Sequence, residues 1–130
     1  MNKEGKINKF TDLNAWRESH RLTLAIYRIT EIFPDKERFG LTIQIRRAAI
    51  SITSNIAEGF SRETYKDKAY FYSIARGSLT ELQNQLLLSR DVGYISEKEF
   101  NKLADQTIIA HKLISCLIKK TKEIFKIHNS

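Results

Sequence analysis

Residues 41–59 read Leu41-Thr42-Ile43-Gln44-Ile45-Arg46-Arg47-Ala48-Ala49-Ile50-Ser51-Ile52-Thr53-Ser54-Asn55-Ile56-Ala57-Glu58-Gly59, and the spacing of the apolar residues in this run decides the fold class. Leu41, Ile45, Ala48, Ala49, Ile52 and Ile56 stand at i, i+4, i+7, i+8, i+11 and i+15, which is one face of an α-helix and not the alternation of a strand. β-branched Ile is frequent here, yet the period is helical. Ile43, Ile50 and Ala57 repeat every seven residues on the far side, beside Arg46 and Arg47, and form a second apolar seam. The spacing predicts a helix over 37–59, started by the capping residues of 35–40 and stopped around Gly59.

The same period extends in both directions. Upstream, Thr11 or Asp12 can cap a helix over 12–33 that Pro34 ends. It carries two nearly opposite stripes: Leu13, Trp16, Leu24 and Tyr27 with His20 between them, and Leu22, Ala25, Ile26, Ile29 and Phe33. Residues 1–9, polar and lysine-bearing, read as a flexible basic arm. Downstream, Ser61 or Thr64 caps a third helix over 64–91, with Phe71, Ala75, Ser78, Leu79, Leu82 and Leu86 as its stripe. Gly77 lies inside it, and with Ser78 predicts close approach of a bulky neighbour such as Trp16. Ser96 and Glu99 form a capping box that opens a fourth helix over 96–126. Its stripe is Phe100, Leu103, Thr107, His111, Ile114, Ile118 and Phe125.

Composition agrees. The chain has 130 residues, 42% of them apolar and 28% charged, enough for one packed domain, here 10–127. A single Pro and five Gly disfavour a sandwich or barrel of many tight turns. Four helices with short connections and a core stripe each predict an all-α, up-down-up-down antiparallel four-helix bundle. The additional seams exceed what one copy needs to bury and predict a homo-oligomer. The formal charge of +7 is spread evenly along the chain and admits polyanion binding without requiring it. A lone cysteine, Cys116, excludes an intramolecular disulfide and reads as a small buried hydrophobe. With no apolar leader and no membrane-length apolar run, the expectation is a soluble, unprocessed cytoplasmic protein without membrane contact.

Chemistry-bearing patterns are few. His20, His111 and His128 have no partner at a metal-ligand spacing, so neither metal nor cofactor is expected. Cys116 and His111, at i, i+5, point to different faces. Arg47, Ser51, Ser54 and Glu58 share one face of the second helix, bordered by Asn55, and read as an inter-helix hydrogen-bond network; a mid-helix Ser offers no oxyanion site beside it. Arg46 and Arg47, one turn after Gln44, are candidates for phosphate contact, as are Lys112, Lys119, Lys120 and Lys122 of the fourth helix. Tyr65, Tyr70 and Tyr72 lie among Arg62, Lys66 and Lys68. They either stack bases or cover the end of the core.

The run from Phe33-Pro34-Asp35-Lys36-Glu37-Arg38-Phe39-Gly40 through Gly59, with Phe10-Thr11-Asp12-Leu13-Asn14-Ala15-Trp16 and Ile74-Ala75-Arg76-Gly77-Ser78-Leu79-Thr80-Glu81-Leu82, resembles the four helix bundle proteins related to the 23S rRNA intervening sequence protein. The resemblance implies small ring-shaped homopentamers without established enzymatic activity. It also implies a likeness in fold to the accessory variability determinant of diversity-generating retroelements, a basic pentamer that works with nucleic acid and a reverse transcriptase. The signature falls on Trp16, Gln44, Arg46, Arg47, Ser51, Asn55, Glu58, Gly59, Gly77, Ser78 and Glu81. Thr53 stands where relatives commonly carry Pro, so a kink there is not expected. The expected function is a non-enzymatic homo-oligomer that binds RNA or DNA through a basic surface as a scaffold or accessory protein. The alternative is an adaptor whose apolar seams receive a partner's helix.

Overall fold

The computed structural model describes residues 5–129, with side chains over 5–128; residues 1–4 of the predicted arm lie outside the described residues. Four helices, α1 (Asn14–Thr30), α2 (Leu41–Ser61), α3 (Tyr65–Asp91) and α4 (Glu97–Asn129), carry the chain. Hydrogen bonds between helices give their directions. Thr23 Oγ1 donates to the Ala49 carbonyl (3.2 Å) and Arg46 Nε to Thr30 Oγ1 (2.8 Å), so α2 runs down as α1 runs up. Ser51 meets Ser78 (2.8 Å), and Gln85 Nε2 reaches the Gln44 carbonyl (3.4 Å). Arg76 Nη1 donates to Ser115 Oγ (3.3 Å) and Gln83 Nε2 to Thr107 Oγ1 (3.1 Å). Every consecutive pair is antiparallel, and α4 closes on α1. The backbones of the diagonal pairs, α1 with α3 and α2 with α4, stay more than 8 Å apart among the described residues.

The core follows the stripes, with one choice that periodicity left open. Of the two stripes read on the first helix, the one holding Leu22 and Ile26 is buried, as is Phe33 beyond the end of α1. Leu24 (42% exposed) and Tyr27 (37%) of the other face outward. On α2, Ile45, Ala48, Ala49, Ile52 and Ile56 are buried, and the second seam is open, with Ile43 48% and Ile50 42% exposed. Leu79, Leu82 and Leu86 of α3 and Ile114 and Ile118 of α4 complete the centre.

Several helix ends differ from the sequence reading. Asp12 caps a 3-10 turn at Phe10–Asp12, not α1: its Oδ2 accepts from the Asn8 and Lys9 amides (3.0 and 3.1 Å). The backbone is therefore held from Asn8 onward, inside the span read as an arm. α1 stops at Thr30: Pro34 has no N–H to give the Thr30 carbonyl, and the Glu31 and Phe33 amides turn back to the Arg28 and Thr30 carbonyls in tighter i to i−3 bonds (3.3 and 3.1 Å). A 3-10 turn, Asp35–Glu37, occupies the predicted start of α2. The Glu37 carboxylate accepts from the Leu41 amide (3.1 Å) and from Tyr94 Oη (2.6 Å), tying the α2 start to the α3–α4 connection. Thr64 caps α3 through the Asp67 amide (3.1 Å), and both bonds of the Ser96/Glu99 capping box are present.

Both glycine readings change. Gly59 lies within α2 instead of stopping it, and a Cβ there would come 2.7 Å from Tyr72 Cε1, so the missing side chain is what lets α3 approach. Gly77 is exposed with open space around it, and Trp16 does not approach it. Trp16 stacks on His20 (centroids 4.6 Å apart) and meets Phe10 edge-on (5.5 Å). Cys116 is exposed, not buried, because it falls off the core stripe that Ile114 and Ile118 share.

Candidate nucleic-acid interface

Antiparallel packing sets the first turns of α3 beside the last turns of α4. Lys66, Ala69, Tyr70, Ser73 and Arg76 recur at helical spacing along one side of α3, and Ser115, Lys119, Lys122 and Lys126 along the facing side of α4. Between them lie two hollows of about 420 and 390 Å³ that share Lys122 and Lys126, and so form one groove. Five cationic side chains line it: Lys66, Arg76, Lys119, Lys122 and Lys126. Glu123 is its acidic side chain. Arg76 is drawn across the groove by its bond to Ser115.

A lysine in the last turn of a helix also complements the macrodipole, and that alone rationalises Lys126, though not Lys122, which lies further into α4. It does not rationalise Lys66, which sits in the first turn of α3, where the dipole disfavours a cation. The clustering of charge therefore belongs to the groove and not to either helix.

Aromatic rings stand at the same end. Tyr65 stacks on His128 (centroids 5.5 Å apart), and Tyr70, 63% exposed, lies edge-on to Phe71 (5.4 Å). Tyr72 belongs to the core; burial pushes its hydroxyl up to about 12. Lys68 turns away to the Phe60 carbonyl (2.6 Å), and Arg62 pairs with Glu58 (3.2 Å) while covering the Phe71 ring. Of the six residues read as an interleaved platform, only Tyr65, Tyr70 and Lys66 line the groove.

The residues read as phosphate partners do not come together. Arg46 and Arg47 lie on α2, diagonally across the bundle from α4. Arg46 serves the end of α1: besides Thr30 it reaches the Tyr27 carbonyl (3.3 Å) and lies over the Tyr27 ring (4.5 Å). Arg47 is exposed. Lys119 and Lys122 line the groove, and Lys112 is exposed on α4. Lys120 faces the α1 side instead, in a hollow with Ile7, Asp12 and Leu13. Arg76 and Lys126 were not among the residues read as phosphate partners, and Lys66 was read only within the tyrosine platform; the i, i+3, i+7 run of Lys119, Lys122 and Lys126 was the available signal for Lys126.

Four signature residues, Gln44, Ser51, Gly59 and Ser78, instead lie where α2 meets α3, with Asn55 and Glu81 bonded beside them. Ser51 Oγ bonds Ser78 Oγ, and Asn55 Nδ2 donates to the Ser51 carbonyl (2.8 Å) and hydroxyl (3.1 Å). Gln85 Nε2 bridges Glu81 (3.2 Å) and the Gln44 carbonyl. The expected polar network is present on the Ser51–Asn55 side, while Arg47 and Ser54 take no part and Glu58 pairs within α2's end.

Among the described residues no helix is long and apolar enough to cross a membrane. The model of the family described as 23S rRNA-intervening sequence protein matches residues 11–116. Among solved structures, a protein of unknown function from the S23 ribosomal protein family of Bacteroides thetaiotaomicron is 22% identical, with a TM-score of 0.75 over 81% of this chain and 95% of that one. No curated protein matches the chain.

Proposed function

The chain belongs to the 23S rRNA-intervening sequence protein family, and from that premise we propose that it is a non-enzymatic, cytoplasmic, homo-oligomeric bundle that binds the backbone of RNA or DNA as a scaffold or accessory protein. The observation that carries this reading is the α3–α4 groove, where five cations and one carboxylate meet. Phosphate contact by lysine and arginine is the general source of sequence-independent affinity for nucleic acid. Five copies of a +7 chain carry +35, so assembly would multiply the field of each groove. By analogy of fold, a nucleic-acid enzyme such as a reverse transcriptase is the partner class such a scaffold would serve.

The phosphate partners in this reading are Arg76, Lys119, Lys122 and Lys126, with Arg47 and Lys112 outlying. The test is fluorescence anisotropy with labelled RNA and DNA across a salt series. Binding should weaken steeply with salt, and the Lys119→Ala/Lys122→Ala/Lys126→Ala variant should flatten the log–log slope by about 2–3. A variant that binds like wild type at every salt concentration would overturn the assignment.

The adaptor reading rests on a different observation, the open face where Leu24 and Tyr27 of α1 adjoin Ile43 and Ile50 of α2. A helix of another protein could use that face. A second copy of this chain would use it equally well.

A further inference from the structure

We propose that the α3–α4 groove selects single-stranded nucleic acid, seating an unstacked base on its aromatic residues while lysines hold the flanking phosphates. This rests on the nucleic-acid reading above and goes beyond it in naming the strand state. The wider part of the groove is lined by an aromatic set, Tyr65, Tyr70 and Phe125, and by a basic set, Lys66, Lys122 and Lys126. Its volume of about 420 Å³ falls within the range of small-molecule clefts.

The two halves of this lining ask for different groups in one molecule. Three ammonium groups recruit anions, and any polyanion satisfies them. Phenol rings, one of them 63% exposed, gain from a flat apolar partner that excludes water. A duplex presents phosphates but keeps its base faces stacked on one another, so it would meet the lysines and leave the rings wet. A single strand offers both, an unstacked base within reach of the phosphates on either side of it. An acidic peptide would satisfy the lysines alone. The edge-on pair of Tyr70 with Phe71 and the stacking of Tyr65 on His128 hold the rings in place beforehand, which reduces the ordering that binding requires.

The experiment measures the full-length protein by anisotropy, at each step of a salt series, with three labelled probes: oligo-dT of about twelve nucleotides, an abasic strand of equal length, and a mixed-sequence duplex. Oligo-dT should bind at least about 5-fold more tightly than the abasic strand and the duplex. Tyr70→Ala should weaken oligo-dT by about 5- to 100-fold and leave the abasic strand unchanged, while Tyr70→Phe keeps wild-type affinity. Tyr70 is largely exposed, so both variants should retain the far-ultraviolet circular dichroism of the bundle. Equal binding of all three probes with a persisting salt dependence would overturn the base seat and leave the basic groove standing, as would equal competition by poly-glutamate against oligo-dT. Absence of binding to every probe would overturn both.

Discussion

Two glycines of one sequence signature illustrate how little a residue type says without its surroundings. At Gly59 an alanine Cβ would lie 2.7 Å from the Tyr72 ring and 3.1 Å from the Lys68 carbonyl, so ring or backbone must move. Gly59→Ala should therefore lower stability by about 1–2 kcal/mol in chemical denaturation, despite the ~1 kcal/mol that alanine gains in helix propensity. At Gly77 nothing opposes that gain, and Gly77→Ala should raise stability by about 0.5–1 kcal/mol. Two carboxylates contribute to the acid limb. The Asn8 amide, with that of Lys9, holds Asp12 below its ordinary value; the Tyr94 hydroxyl, with the Leu41 amide, does the same for Glu37. Each contribution is complete above the ordinary carboxylate range and is lost as pH falls through the lowered native value. Removing the Tyr94 hydroxyl returns Glu37 toward its ordinary value, so Tyr94→Phe should shrink the stability difference between pH 7 and pH 3, read from urea midpoints.

At the scale of the helix, α2 is unbroken through Thr53, whose hydroxyl donates to the Ile50 carbonyl (3.1 Å). Proline at position 53 would take the helical N–H from the Ala49 carbonyl. That carbonyl has another donor within reach, since Thr23 Oγ1 lies 3.2 Å from it and 2.9 Å from the Ser19 carbonyl. The single Thr23 proton can turn to Ala49 when the amide is gone. Thr53→Pro should then cost about 1–2 kcal/mol, less than the ~3 kcal/mol of an unsupported helix interior. Adding Thr23→Val should deepen the loss by about 1 kcal/mol beyond additivity in a double-mutant cycle. Strict additivity would show that Thr23 plays no such part.

For the molecule as a whole, the unresolved question of the apolar seams becomes one of assembly. The outer face of α1 and α2 leaves Leu24, Tyr27, Ile43 and Ile50 in water, spaced along two adjoining helices. Native mass spectrometry, with and without nuclease, should report a homo-oligomer, with the pentamer favoured, and the Ile43→Asp/Ile50→Asp variant should report a folded monomer. A wild-type monomer would remove the assembly reading and turn attention to a foreign helix on that face. The grooves of α3 and α4 lie on another side, so assembly through α1 and α2 would leave them open.

How much of this was legible without coordinates follows from the range of the interactions involved. Helix number, order and the opening caps of α3 and α4 were readable, because a 3.6-residue period, a proline and a Ser-x-x-Glu box act within a few residues of one another. The all-α bundle and the family resemblance needed nothing more. Which of two stripes on α1 is core, whether a glycine stops a helix or admits a ring, and where Arg46 spends its donors were not readable, since each depends on a neighbour distant in sequence. The groove is the clearest case: Lys66 and Arg76 meet Lys119, Lys122 and Lys126 only because α3 and α4 pack antiparallel at one rotation about their axes. Local periodicity determined the elements; only close packing, which is collective and fixes every helix's rotation at once, decided which charges share a surface.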